Sequence, residues 1–124
     1  MKLYFCPICK NLSLMLNDSG VKPHCCGKEM VELKANTTDA ATEKHVPVVN
    51  VEGNVISVQV GSVLHPMTAE HHIAFIVLVT DKGYRVNHLD ETGEPKTRFT
   101  LEKDEKALAV YEYCNLHGLW KVDL

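Results

Sequence analysis

Val48-Val49-Asn50-Val51-Glu52-Gly53-Asn54-Val55-Ile56-Ser57-Val58-Gln59-Val60 reads as two strands folded back on a Glu-Gly-Asn turn. In the second strand Ile56, Val58 and Val60 share one face against Val55, Ser57 and Gln59, the period of a half-buried strand. The same kind of signal recurs at 73–80, 84–89, 96–101, 107–113 and 119–124, with Asp81-Lys82-Gly83 and Asp90-Glu91-Thr92-Gly93 as turns. Thr97, Phe99 and Leu101 oppose Lys96, Arg98 and Thr100. With 48–51 and 55–60 this makes about seven strands over roughly 80 residues, the spacing of an antiparallel β-sandwich. No stretch of about ten residues shows a clear helical period, and there is no internal repeat.

Upstream the character changes. Residues 1–34 hold two short apolar stretches, 3–5 and 12–16, separated by a Cys-Pro-Ile-Cys turn and followed by Asn17-Asp18-Ser19-Gly20. So short a segment has too little apolar area to fold by burial alone, and its four cysteines are the available staple. Residues 35–42 lack large apolar side chains and are expected to be a linker, leaving 43–124 as the sandwich.

Composition narrows the function classes. At 124 residues, 45% hydrophobic and 23% charged, the chain is ordinary globular material, too short for a barrel enzyme. The longest apolar run, 73–79, is far short of a membrane span. A net charge of −3 offers no basic surface for nucleic acid or anionic lipid, so an anionic substrate would need a local positive charge. The opening MKLYFCPICK has no sustained apolar core and is not a secretory signal, so a cytoplasmic protein with reduced thiols is expected.

Two constellations carry chemistry. Cys6-x-x-Cys9 with Cys25-Cys26 is a four-thiolate set suited to tetrahedral zinc or iron. The adjacent pair is unusual, because successive side chains point apart and must be bent toward one ion. A thioredoxin-like dithiol is the rival reading, but its βαβ context is missing. The second constellation is spread over the sandwich: Glu43-Lys44-His45-Val46-Pro47, His65-Pro66-Met67, Glu70-His71-His72 and Cys114-Asn115-Leu116-His117-Gly118. Each falls in a loop or at a strand edge, where a rigid scaffold presents side chains to a common point. Imidazoles with one thiolate suit iron, zinc, copper or nickel, and spacing does not choose among them. His24, His72 and His88 read as solvated surface residues.

Taken in this order, the motifs resemble the superoxide reductase family, in its two-iron class, desulfoferrodoxin. The resemblance implies a desulforedoxin-like module over residues 1–34, binding iron through Cys6, Cys9, Cys25 and Cys26. It implies an immunoglobulin-like sandwich of seven antiparallel strands, holding a catalytic iron through His45, His65, His71, His117 and Cys114. The implied cofactors are thus two iron ions per chain. The implied activity is one-electron reduction of superoxide to hydrogen peroxide, without dismutation, at a five-coordinate ferrous ion. Lys44 would attract and orient the anion and fix a water, and Glu43 would close onto the oxidised metal. A rubredoxin-like electron donor or reductase and a homodimer are implied as well. The competing readings are a non-catalytic electron carrier built on the four-cysteine iron, and a zinc-binding structural or interaction module.

Overall fold

The computed structural model describes all 124 residues, which divide into two units, Met1–Lys34 and Ala35–Leu124. In the first, β1 (Leu3–Phe5) pairs antiparallel with β2 (Leu12–Leu14), β3 (His24–Cys25) forms a small hairpin with β4 (Lys28–Glu29), and β5 (Val31–Glu32) pairs with β1. Its buried apolar residues are only Leu3, Tyr4, Cys6 and Met30. That is little burial to offset the ordering of 34 residues, so the cysteines are needed as ligands to hold the unit together.

The second unit opens with α1 (Thr42–His45), a single turn and the chain's one helix. The strands follow as β6 (Pro47–Glu52), β7 (Val55–Val60), β8 (Ile73–Thr80), β9 (Gly83–His88), β10 (Lys96–Thr100), β11 (Ala107–Cys114) and β12 (Gly118–Asp123). They form a three-stranded sheet in the order β10-β7-β6 and a four-stranded sheet in the order β12-β11-β8-β9. All pairings are antiparallel, giving the seven-stranded sandwich expected from the alternation. Between the sheets lie Ile56, Val58 and Val60 from β7, Ile73, Ile76 and Leu78 from β8, Phe99 from β10, and Val110 and Cys114 from β11. One cysteine of the sequence motifs is therefore rooted in the apolar core.

Two features differ from the expected outline. Residues 35–42, read from the sequence as a linker, belong to the second unit. Asn36 donates its backbone N–H to Leu119 O at 3.0 Å and its side-chain amide to Lys121 O at 3.2 Å, and accepts from Lys121 N at 2.8 Å. The side-chain amide of Asn36 thus extends the edge of β12, a pairing that composition does not reveal. The second feature is a bulge. Tyr113 pairs with Phe75, but Cys114 pairs with Ile73, which leaves Ala74 as an extra residue on β8. Such a bulge bends the strand and re-aims the side chains beside it, here at Cys114. No helix is long and apolar enough to cross a membrane.

Leu78 is fully buried in the core, so Leu78→Ala should lower the unfolding free energy by about 2–5 kcal/mol. Urea titration followed by fluorescence of Trp120, the single tryptophan, checks this, with an unchanged denaturant slope expected.

Candidate metal centres

The cysteine centre is made by two tight turns. In the first, Lys10 N donates to Cys6 O and Cys6 N to Asn11 O, both at 2.9 Å, which folds Cys6 and Cys9 to the same side. In the second, Cys26 and Gly27 are the two loop residues between β3 and β4, with φ of 54° and 73°. Positive φ at both positions is the primed hairpin turn, which glycine adopts freely and other residues adopt rarely. It bends Cys26 back toward Cys25 and so removes the difficulty of adjacent cysteines. The Sγ atoms of Cys9 and Cys25 are 3.5 Å apart, those of Cys25 and Cys26 3.9 Å apart, and all four lie within 4.8 Å of one another. None of the five cysteines is in a disulfide.

Four sulfurs this close cannot all ionise without a cation. The Cys9 N–H pointing at Cys6 Sγ pulls that thiol down to about 6, while the neighbouring sulfurs of Cys9 and Cys25 push Cys26 up to about 12. A metal ion resolves the conflict, because thiolate is the ligand and binding drives off the protons.

The histidine centre draws on α1, the connection from β7 to β8 and the loop from β11 to β12. His45 closes α1, His65 follows β7, His71 sits in a turn in which Thr68 and His71 exchange backbone bonds, and His117 lies in the loop from β11 to β12. The rings stand edge-on in a closed circuit. Centroid distances are 4.8 Å from His45 to His65, 4.6 Å to His71, 5.0 Å to His117 and 4.8 Å back to His45, with interplanar angles between 76° and 89°. Cys114 Sγ lies 3.8 Å from His117 Nδ1, and the five ligand atoms are all within 4.8 Å of one another. Cys114, His45 and His65 are buried, whereas His71 and His117 are half-buried.

Tautomers follow from the hydrogen bonds. His45 Nδ1 is 2.7 Å from Ala41 O, and His65 Nδ1 is 2.7 Å from Pro66 O. A carbonyl only accepts, so each Nδ1 carries the proton and each Nε2 keeps its lone pair. His65 Nε2 and His71 Nε2 are buried without a partner. Burial also holds these rings neutral. It lowers His65 to about 4 and lowers His45 and His71, the latter helped by the charges of His117, His45, His72 and Lys44. Neutral imidazoles with inward lone pairs and a thiol fit a transition-metal ion; they do not fit an apolar or hydrogen-bonded core. Burial pushes the Cys114 thiol up, so a metal would have to displace its proton.

The site residues expected from the sequence are thus brought together in two clusters, with Glu43 and Lys44 immediately ahead of His45 on α1. Three supporting residues were not legible as such. Trp120 stacks on His45 at 4.9 Å and donates its indole N–H to His117 O at 3.1 Å. Asn115 accepts from His72 N at 2.9 Å and donates to Glu70 O at 2.9 Å, tying the loop carrying His71 to the loop carrying His117. Glu112 is fully buried between Ile76 and Trp120 across the sheet, two residues before Cys114, and both carboxyl oxygens lack a partner. Burial raises it well above the usual carboxylate range, which favours the neutral acid over the carboxylate. His24 and His88 are exposed as expected. His72 is not simply solvated: its Nδ1 donates to Thr68 O at 2.9 Å and its side chain is only 15% exposed beside Glu91.

Residues 37–123 match the model of the family described as desulfoferrodoxin. The chain belongs to the desulfoferrodoxin family. It is 45% identical to the desulfoferrodoxin of Syntrophotalea carbinolica over 97% of this chain and 94% of that protein. It is 35% identical to the superoxide reductase of Thermococcus kodakarensis, over 74% of this chain and 95% of that one. Among solved structures it resembles the superoxide reductase of Treponema pallidum, with 40% identity, a TM-score of 0.82 and 98% of both chains covered. The family therefore includes proteins named for an oxidoreductase activity. The set of four cysteines, and the set of four histidines with one cysteine, match the two-iron pattern of the desulfoferrodoxins.

The neutral histidines make the metal-free protein acid-sensitive. Their folded pKa values lie below the exposed-imidazole value of 6.5, with His65 at about 4, so in that window the unfolded chain binds protons that the native site refuses. Stability that is complete above the unfolded value is lost as pH falls through the window. Urea midpoints of the metal-free protein, read from Trp120 fluorescence, should drop steadily from pH 7 to pH 4.

Proposed function

We propose that this chain is a superoxide reductase that converts one superoxide, one electron and two protons into one hydrogen peroxide, without releasing oxygen. The observation that carries the reading is the circuit of four neutral imidazoles beside a buried thiol, with Lys44 next to it in sequence and its charge felt at His71 and His45. In this reading His45, His65, His71, His117 and Cys114 hold the catalytic iron, and Cys6, Cys9, Cys25 and Cys26 hold the second. Ferrous iron, when bound, supplies the electron and a coordination position for a small anion.

The chain's own residues do the rest. Four neutral imidazoles and one thiolate leave a ferrous site with a net positive charge, which attracts an anion despite an overall charge of −3. The Lys44 ammonium adds a positive charge and three N–H donors, enough to orient superoxide and hold a water within proton-transfer reach. Solvent is then the proton source. Cys114, fully buried, would hold the iron through its thiolate and supply electron density to it, as metal ligands tune reactivity and potential. Glu43, on α1 two residues before His45, would offer a carboxylate suited to the harder ferric ion.

Resemblance to the family further supports re-reduction by a rubredoxin-like protein or reductase, a homodimer, and a cytoplasmic role in superoxide detoxification. A purely electron-carrying role for the four-cysteine iron is not favoured, since it leaves the second cluster without a purpose.

Lys44→Ala separates the enzyme from the carrier. In stopped-flow or pulse experiments with iron-loaded protein, the second-order rate with superoxide should fall by about tenfold or more, and the parent rate should fall as salt is raised. An unchanged rate in Lys44→Ala, or oxygen evolved alongside peroxide, would contradict the proposal.

A further inference from the structure

Helix α1 carries three residues of the proposed site in succession, and the side-chain tie within the turn is His45 Nδ1–H to Ala41 O at 2.7 Å. A single turn is far below the length at which a helix is stable in water. Ala41, at its start, provides no side-chain cap; at its ends Lys44 N donates to Ala41 O at 3.2 Å and Val46 N to Thr42 O at 3.0 Å. Nor do the two functional side chains fix themselves, since neither the Glu43 carboxylate nor the Lys44 ammonium has a hydrogen-bond or ion-pair partner. Their direction is inherited from the backbone.

That backbone is gripped by the turn that follows β7. Val63 N donates to Glu43 O at 3.0 Å and Ser62 Oγ donates to the same oxygen at 3.3 Å, while Gly61 N donates to Val46 O at 3.3 Å. Gly61 itself has φ of +83°, and a Cβ there would lie 2.2 Å from Val63 O, 2.8 Å from Glu43 O and 2.9 Å from the Lys44 carbonyl carbon. All three are backbone atoms, so no side chain could swing aside to make room. The same turn leads into His65, whose N–H is bonded to Val60 O at 3.1 Å. One short segment therefore contacts the backbone of Glu43 and Lys44 and also carries a residue of the histidine circuit.

We propose that the turn Gly61-Ser62-Val63 is the positioning element for Glu43 and Lys44, and that the Ser62 hydroxyl is its removable latch. Gly61 permits the close approach, and Val63 and Ser62 together satisfy the Glu43 carbonyl and set the angle at which both side chains leave the helix. The inference deepens the proposed function and rests on Lys44 acting on superoxide.

The test uses full-length protein carrying Ser62→Ala, Ser62→Thr or Gly61→Ala, each with and without Lys44→Ala. Superoxide rates are measured on the iron-loaded forms, and hydrogen exchange of the Lys44 and Val46 amides on diamagnetic zinc-loaded forms. Ser62→Ala should slow the reaction and speed the exchange by about two- to tenfold, the worth of one net hydrogen bond, at unchanged metal content. Ser62→Thr should restore both, and in the Lys44→Ala background Ser62→Ala should cause no further loss of rate. Gly61→Ala should be slower than Ser62→Ala; the Ser62 series decides the matter if that variant does not fold. Parent exchange and parent rate in Ser62→Ala, or a rate loss that adds fully to that of Lys44→Ala, would overturn the proposal. A parent without superoxide activity, or a Lys44→Ala variant at parent rate, would instead refute the function on which it rests, and the exchange data would still judge the clamp.

Discussion

Two buried ring nitrogens, Nε2 of His65 and Nε2 of His71, have no hydrogen-bond partner, and the second unit is organised around them. An unpartnered buried polar atom costs about 1–3 kcal/mol, and two of the four rings in the circuit carry one. Protonation would relieve it, but burial opposes the charged form of each buried ring. A cation that accepts lone pairs is the remaining solution. The first unit meets a parallel constraint with sulfur, where crowding drives one thiol down and another up. Neither cluster is satisfied by protein atoms alone.

Holding such rings in place requires more than the ligands. Their outer nitrogens are spent on carbonyls, Ala41 for His45 and Pro66 for His65, which selects the tautomer that leaves Nε2 free. Trp120 supports His45 by stacking and the His117 loop through its indole N–H. Asn115 ties the His71 loop to the His117 loop, and the bulge at Ala74 turns Cys114 toward the cluster. Trp120 and Ala74 lie on the paired strands β12 and β8, so the loop residues they support are anchored to the sheet, as a metal site needs.

Much of this was legible in the sequence because the sandwich obeys a simple period. Ile56, Val58 and Val60 announce an inward face, and β7 and β8 occupy the expected residues, with the other strands shifted by a residue or so. The metal-binding residues were legible because His and Cys in loops have few other reasons to cluster. What stayed hidden depends on three-dimensional pairing. The strand-like amide of Asn36, which attaches residues expected to be a linker, has no local signature. Cys26 looks awkward beside Cys25 until its left-handed φ places it in a hairpin turn. Glu112 reads as an ordinary outward residue of a strand, yet it occupies an inward position directly across from Trp120.

Iron content per chain is the decisive measurement, because two independent centres lie in two units. It is to be measured on protein reconstituted without oxygen, for the parent, for Cys9→Ser with Cys25→Ser, and for His65→Ala with His71→Ala. Two irons are expected for the parent and one for each double variant, with loss of the thiolate-to-iron colour of the cysteine centre only in the cysteine variant. One iron in the parent, or a histidine variant that still holds two, would contradict it.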